Sequence, residues 1–329
     1  MAYLLAQIRD WNSSLKSSRS DFVALFVGGT SGIGKHTALK LTSFVSKPSI
    51  YIIGRNEAAG AQVMEELKAA NPNGTYAFIP ADTSDLRNVD AACQDIKKRV
   101  NTLDLLFLST GTLAMGRHEG RAGIDVNHML RYYSRMRFVQ NLMPLLESGK
   151  SSRVVSVLGG GKEVDVEEDN LDLNKSFSFM KSTGYPGTMT SMAFENLASK
   201  HPSVSFLHVF PGVVATPLVK TSMGGGILGT VMSAMMKPFA IAPEESGEWH
   251  TFLSTSPDFP AKAASQDLPA DSKANIARAS TGEKGGGSYI LNHNGQNATN
   301  EPLMSQFRER GLADTIWKHT LGVFDQASA

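Results

Sequence analysis

The chain has 329 residues, 41% hydrophobic and 19% charged, a composition that supports a sizeable buried core and excludes a disordered chain. Thirty-two basic residues against 31 acidic ones leave a formal charge of +1, so no broad positive field exists to draw nucleic acid or an anionic membrane. The single cysteine, Cys93, cannot form an internal disulfide and lies among apolar residues at helical spacing, which fits a buried thiol and a reducing, cytoplasmic setting.

In chain order, residues 1–15 place Leu4, Leu5, Ile8, Trp11 and Leu15 at helical spacing, interrupted by Arg9, Asp10 and Asn12. That pattern is neither the unbroken apolar run of a secretory signal nor the ~20 apolar residues of a membrane span. It reads as a docked helical extension, residues 1–20, with no stable membrane insertion. Short apolar runs then alternate with helix-length segments, at 22–27, 49–53, 76–79, 103–108, 153–157 and 204–209. They read as buried parallel strands. Between them, helical patterns cover 35–45 and 85–100; in the latter Leu86, Val89, Ala92, Cys93, Ile96 and Val100 share one face. Strict alternation implies an α/β fold, a single doubly wound Rossmann-type parallel sheet with helices on both faces, in one domain over 21–329.

Past Pro217 the alternation stops. Residues 222–236 hold four methionines and a triple glycine, which suits either an adaptable apolar lid, placed at 218–245, or ordinary surface packing. A C-terminal extension covers 255–329: a Ser, Ala, Asp, Lys and Gly-rich loop at 254–287, a last strand at 288–291 and a terminal helix at 301–324. No repeat of fixed period is present.

The first strand runs directly into Gly28, Gly29, Thr30, Ser31, Gly32, Ile33 and Gly34, followed by a helical pattern. Glycines let a backbone turn sharply and approach a diphosphate, while the free N–H groups and positive end of the helix stabilise the anion. The second strand ends in Gly54, Arg55 and Asn56, where an NAD site usually carries a carboxylate for the ribose 2′-hydroxyl. A guanidinium there pairs with the 2′-phosphate of NADP, so NADP(H) is the expected cofactor; the alternative is a solvated arginine at a helix start.

With its Gly-x-x-x-Gly-x-Gly spacing, this turn resembles that of the short-chain dehydrogenase/reductase (SDR) family, although Val27 stands where the family often has threonine. Asp82 and Thr83 match its adenine-contacting element, and Ser109, Thr110 and Gly111 are a poor copy of its Asn-Ala-Gly element. The segment Pro211, Gly212, Val213, Val214, Ala215 and Thr216 is similar to the turn that holds the nicotinamide end. These landmarks run in family order over about 22–253. The resemblance implies cofactor contacts from Gly28, Thr30, Ser31, Gly32, Ile33, Gly34, Arg55, Asn56, Asp82, Thr83, Gly111, Asn127, Val214 and Thr216.

The family's catalytic pattern is a tyrosine with a lysine four residues later, plus a serine after the fifth strand. The spacing has a physical reason, because residues four apart share a helix face and a phenol of pKa ~10 needs a nearby cation to ionise near neutrality. None of the seven tyrosines here has lysine at the fourth position. Tyr185 lies nearest the expected place, with Met189 where the lysine belongs; aligned instead on the helix end at 195–198, the pair becomes Thr183 and Gly187. Gly159 stands where the serine falls. Asn127 matches the family's proton-relay asparagine. Tyr185 is the expected catalytic residue, as a neutral phenol donating a proton, against the alternative that it only packs. Lys181 reads as solvated and His128 as structural; Tyr132, Tyr133, Arg131, Arg135 and Arg137 are expected to clothe their helix rather than line a pocket. No metal-site cluster or nucleophile motif is visible.

Three functions remain open from sequence. One is an NADPH-dependent oxidoreductase acting on a carbonyl or secondary alcohol of a bulky apolar metabolite, in the manner of the atypical SDR tailoring enzymes of fungal secondary metabolism that this chain resembles. The second is a non-redox cyclase or isomerase using the same pocket, and the third a nucleotide-binding protein without turnover. The expected partner is a small-molecule substrate, with homo-oligomerisation left open.

Overall fold

The computed structural model describes residues 3–112, 116–216, 240–267 and 275–328. Seven strands form where β-branched, leucine and aromatic residues run unbroken: β1 Asp21–Val27, β2 Lys47–Gly54, β3 Thr75–Pro80, β4 Leu105–Leu108, β5 Arg153–Val157, β6 Ser205–Phe210 and β7 Ser288–Asn292. All pair in parallel in one sheet of order β3-β2-β1-β4-β5-β6-β7. Successive side chains point to opposite faces, so Leu25 and Val27 enter one core and Ala24 and Phe26 the other.

Helices cover both faces, as expected. They are α1 Leu5–Ser18, α2 Gly32–Phe44, α3 Glu57–Ala70, α4 Leu86–Arg99, α5 Val126–His128, α6 Ser134–Glu147, α7 Phe179–Lys200, α8 Pro243–Thr255, α9 Lys262–Gln266, α10 Glu301–Glu309 and α11 Leu312–Ser328. A single π-helical turn, Met129–Tyr133, joins α5 to α6.

The N-terminal helix α1 docks on α8. Asn12 donates to the Glu248 carbonyl at 2.9 Å, Arg9 pairs with the Glu248 carboxylate at 2.6 Å, and Trp11 donates to Thr255 Oγ1 at 3.0 Å. Two expectations need correction. The terminal helix is two helices, because Gly311 takes a left-handed φ of +66° that breaks the run between α10 and α11. The loop expected at 254–287 contains the end of α8 and all of α9. The expected lid lies mostly at 217–239, outside the described residues, and its last residues form the first turn of α8.

Strand order reverses between β2 and β4 on either side of β1. A crevice therefore opens at the carboxyl ends of β1 and β4, the place where such sheets bind ligands.

Candidate functional site

A cleft of about 550 Å³ occupies that crevice. Its floor is the turn after β1. Gly28 has φ +95° and Gly32 φ +56°, conformations that disfavour a side chain. Gly34 has no such φ, but a methyl group on it would lie 2.6 Å from both the Gly28 carbonyl oxygen and Ser109 Oγ. The turn and the β4 end thus meet at a distance only glycine permits. Ser31 caps α2 without a side-chain hydrogen bond, and the first turn of α2 carries no acid. Its N–H groups remain available to an anion.

Of the residues expected to hold cofactor, Gly28, Thr30, Ser31, Gly32, Ile33, Arg55, Thr83, Gly111 and Thr216 all line this cleft. Thr216 closes it from the far side, its methyl 3.3 Å from where a Cβ on Gly32 would stand. Arg55 is exposed at the mouth and makes no hydrogen bond or ion pair with the described residues. The others do not face the cleft directly. Asn56 caps α3 by accepting from Ala59 N at 2.9 Å, and Asp82 accepts from Ser84 N and Oγ at 3.0 and 2.8 Å in a local turn. Val214 is buried and bridges to Ile241. Asn127 is buried beside an adjoining cavity of about 240 Å³ that shares Arg55, Thr112 and Leu130 with the main cleft.

Among the described residues, the arginines Arg55, Arg131 and Arg135 line the cleft and no aspartate or glutamate does. The last two correct the expectation that the helix arginines coat a surface. Arg135 is 1% exposed and ties strand ends together, donating to Ser156 Oγ at 2.7 Å, to the Val157 carbonyl at 2.9 Å and to the Thr110 carbonyl. Burial pushes its guanidinium down to about 9, with the charge of Arg131 adding to the effect. Both arginines follow Asn127 at four-residue steps, and that helical stripe was the signal available in the sequence. Tyr132 and Tyr133 are core residues, hydrogen-bonded to Thr320 at 2.7 Å and His319 at 2.8 Å.

Tyr185 is 3% exposed and does not line the cleft; its hydroxyl accepts from Glu167 N at 3.1 Å. Lys181 pairs with Glu167 at 2.7 Å on the surface. His128 Nε2 donates to the Leu171 carbonyl, 2.7 Å away, and burial pushes the imidazole down to about 4, as fits a structural histidine.

A buried network that sequence reasoning missed ends on Gly159. Gly159 N donates to His208 Nε2 at 3.1 Å, which places the imidazole proton on Nδ1. That nitrogen meets Ser191 Oγ at 2.7 Å, and Ser191 donates to Glu163 Oε1 at 2.6 Å. Burial holds the Glu163 carboxyl above its usual range. Three residues from β6, α7 and a loop thus fix the backbone at the position where a side chain would meet only Lys162 Cβ, at 3.9 Å. No spacing rule in sequence brings them together.

The family described as short chain dehydrogenase matches residues 22–224. The oxidoreductase andH of Emericella variicolor is 46% identical over 97% of this chain and 96% of its own length. The short-chain dehydrogenase/reductase SAT2 of Stachybotrys chartarum is 30% identical over 93% of this chain and 92% of its own. Among solved structures, YwfH, an NADPH dependent reductase involved in bacilysin biosynthesis, superposes with a TM-score of 0.57 at 19% identity, over 72% of this chain and 92% of that one. The Pseudomonas aeruginosa RhlG/NADP active-site complex superposes at 0.56 and 20%, over 72% and 91%. These two likenesses are of fold.

Proposed function

The chain belongs to the short-chain dehydrogenase/reductase family and is an oxidoreductase of that type; from this premise we propose that it uses NADP(H) to interconvert a carbonyl and a secondary alcohol on a bulky apolar metabolite. One observation carries the cofactor assignment: the cleft joins a glycine turn, closed to any Cβ at Gly34, to an Arg55 that has no ion-pair partner among the described residues, and no carboxylate stands among its described lining residues. A diphosphate fits the first and a 2′-phosphate the second, whereas a carboxylate for a bare ribose is missing. Bound there, the nicotinamide carries the hydride.

The residues of the chain do the rest. Gly28, Ser31, Gly32 and Ile33 cradle the diphosphate, Arg55 selects the extra phosphate, and Thr83 and Gly111 border the space for the adenosine half. Val157, Leu158 and Pro211 give one part of the cleft an apolar wall. Gly159, where an added Cβ would come no closer than 3.9 Å to Lys162, leaves room beside that wall for a large substrate. Tyr185, expected from sequence as the proton donor, is buried outside the cleft lining with its hydroxyl on the Glu167 N–H, so the proton comes from water admitted to the cleft.

The test is incubation of the purified protein with NADPH or NADH and a panel of bulky ketones, following nucleotide absorbance and product together. Product matching NADPH consumed supports the proposal. Product without oxidation, or binding without product, overturns the redox step, and no affinity for either dinucleotide overturns the whole. Tyr185→Phe is expected to leave kcat within about two-fold of wild type and to lower the unfolding midpoint, because the Glu167 N–H loses its acceptor. A kcat lowered by about 100-fold or more would return Tyr185 to the chemistry.

A further inference from the structure

Arg131 is 9% exposed and lines the cleft. Its Nε donates to the Thr112 carbonyl at 3.2 Å, which fixes the stem against the loop after β4. The two terminal nitrogens have no partner among the described residues. Among the described residues no acid forms an ion pair with it: Asp125, whose charge reaches it, spends its carboxylate on the N–H groups of His118 and His128 at 2.9 and 3.1 Å. Arg135, four residues on, is the internal contrast. Its guanidinium is filled by Ser156, Val157 and Thr110, so it works as a strap, while Arg131 presents an open fork. The residue sits in the π-helical turn Met129–Tyr133, a distortion frequent at functional sites.

A largely buried cation with four of its five N–H donors unpartnered among the described residues offers a ready site to an oxyanion. The planar fork of a guanidinium matches two oxygens of a phosphate or carboxylate. We propose that Arg131 is an anion-binding residue of the cleft, its terminal nitrogens holding an oxyanion brought in by the bound molecules. Two sources share that chemistry. One is the diphosphate of the dinucleotide, and this arm rests on the cofactor assignment above; the other is an acidic group on the substrate, which would narrow the substrate class to apolar acids.

The experiment compares wild type with Arg131→Gln, which removes the charge, and Arg131→Lys, which keeps the charge and loses the fork. NADPH and NADH are titrated by fluorescence. Orthophosphate and benzoate are titrated by shift in thermal midpoint, with and without saturating NADPH. If the diphosphate is the ligand, Arg131→Gln weakens NADPH and NADH alike by about ten-fold or more. If a substrate acid is the ligand, both dinucleotides bind as in wild type, and benzoate or orthophosphate raises the midpoint of NADPH-loaded wild type but not of the variant. A variant equal to wild type in dinucleotide affinity and in its response to both anions overturns the proposal. Should Arg131→Gln not fold, Arg131→Lys is judged on the same two arms by the same criterion. Failure of wild type to bind either dinucleotide sinks the cofactor assignment alone, because the anion titrations on the free protein still decide the role of Arg131.

Discussion

A single methyl group separates two jobs within the glycine turn. At Gly28 and Gly32 any side chain meets a left-handed backbone, whereas at Gly34 the obstacle is contact alone, 2.6 Å to the Gly28 carbonyl. Gly34→Ala must push the start of α2 away from the ends of β1 and β4, an overpacking that costs about 1–3 kcal/mol. The expected result is a lower unfolding midpoint together with NADPH and NADH affinities weakened in parallel, read by fluorescence titration; intact affinity for both would remove the turn from the diphosphate site. Arg55 behaves oppositely. It makes no hydrogen bond or ion pair with the described residues, so Arg55→Ala leaves stability nearly unchanged and weakens NADPH by about ten-fold or more while NADH is unaffected. Equal losses for both dinucleotides would show that Arg55 does not read the 2′-phosphate. These residues were legible in sequence because glycine and a strand-end arginine act through the backbone and through position. Arg131 and Arg135 were not, because arginine on a helix is solvated by default and only the packing of α5 and α6 against the strand ends makes them a lining.

At the scale of elements, β5 shows why a strand can be placed from sequence while its energetics cannot. Its run from Arg153 to Val157 announces itself through β-branched residues, and the structure keeps those limits. Nothing in the run says that Arg153 is 3% exposed and donates to the carbonyls of Leu253, Ser256 and Phe259 at 2.6, 2.9 and 2.7 Å. This arginine ties the core sheet to the C-terminal end of α8, where a cation is favoured by the helix dipole. Arg153→Met keeps much of the volume and abandons three buried carbonyls, so chemical denaturation should show a loss of about 3 kcal/mol. A loss under about 1 kcal/mol would mean that water takes over those bonds. The terminal helix illustrates the converse failure. Apolar periodicity continues across 301–324, so pattern alone predicts one helix, but Gly311 in the left-handed region turns the chain and lets α11 pack against α7. The Gly159 network was invisible for a related reason: Glu163, Ser191 and His208 are joined only by the crossing of α7 over β6.

Across the whole molecule, three histidines buried in separate elements set a common response to acid. Burial pushes His128 and His250 down to about 4 and His208 to about 3. The bonding explains why each stays neutral. His128 meets the Leu171 carbonyl through Nε2 and His250 the Ser246 carbonyl through Nδ1, both at 2.7 Å, and in each the other ring nitrogen is buried without a partner. His208 accepts from Gly159 N, a bond that protonation would break. A lowered folded pKa means that the unfolded chain, titrating near 6.5, binds more protons below that pH. The contribution is therefore present in full above about pH 6.5 and is lost as pH falls toward 4. At pH 5 each histidine costs about 2 kcal/mol, a large share of an ordinary folding free energy of about 5–15 kcal/mol. Glu163 works in the other direction, since a carboxyl held above its usual range favours the folded state as pH falls, and it offsets part of the loss. Urea unfolding at pH 7.5, 6.0 and 5.0 should give a stability that declines with falling pH, and His250→Gln should lower that slope by about one proton. Stability constant between pH 6.5 and 5 would show that these imidazoles take up protons in the folded state as freely as in the unfolded one, and the buried neutral network would have to be abandoned.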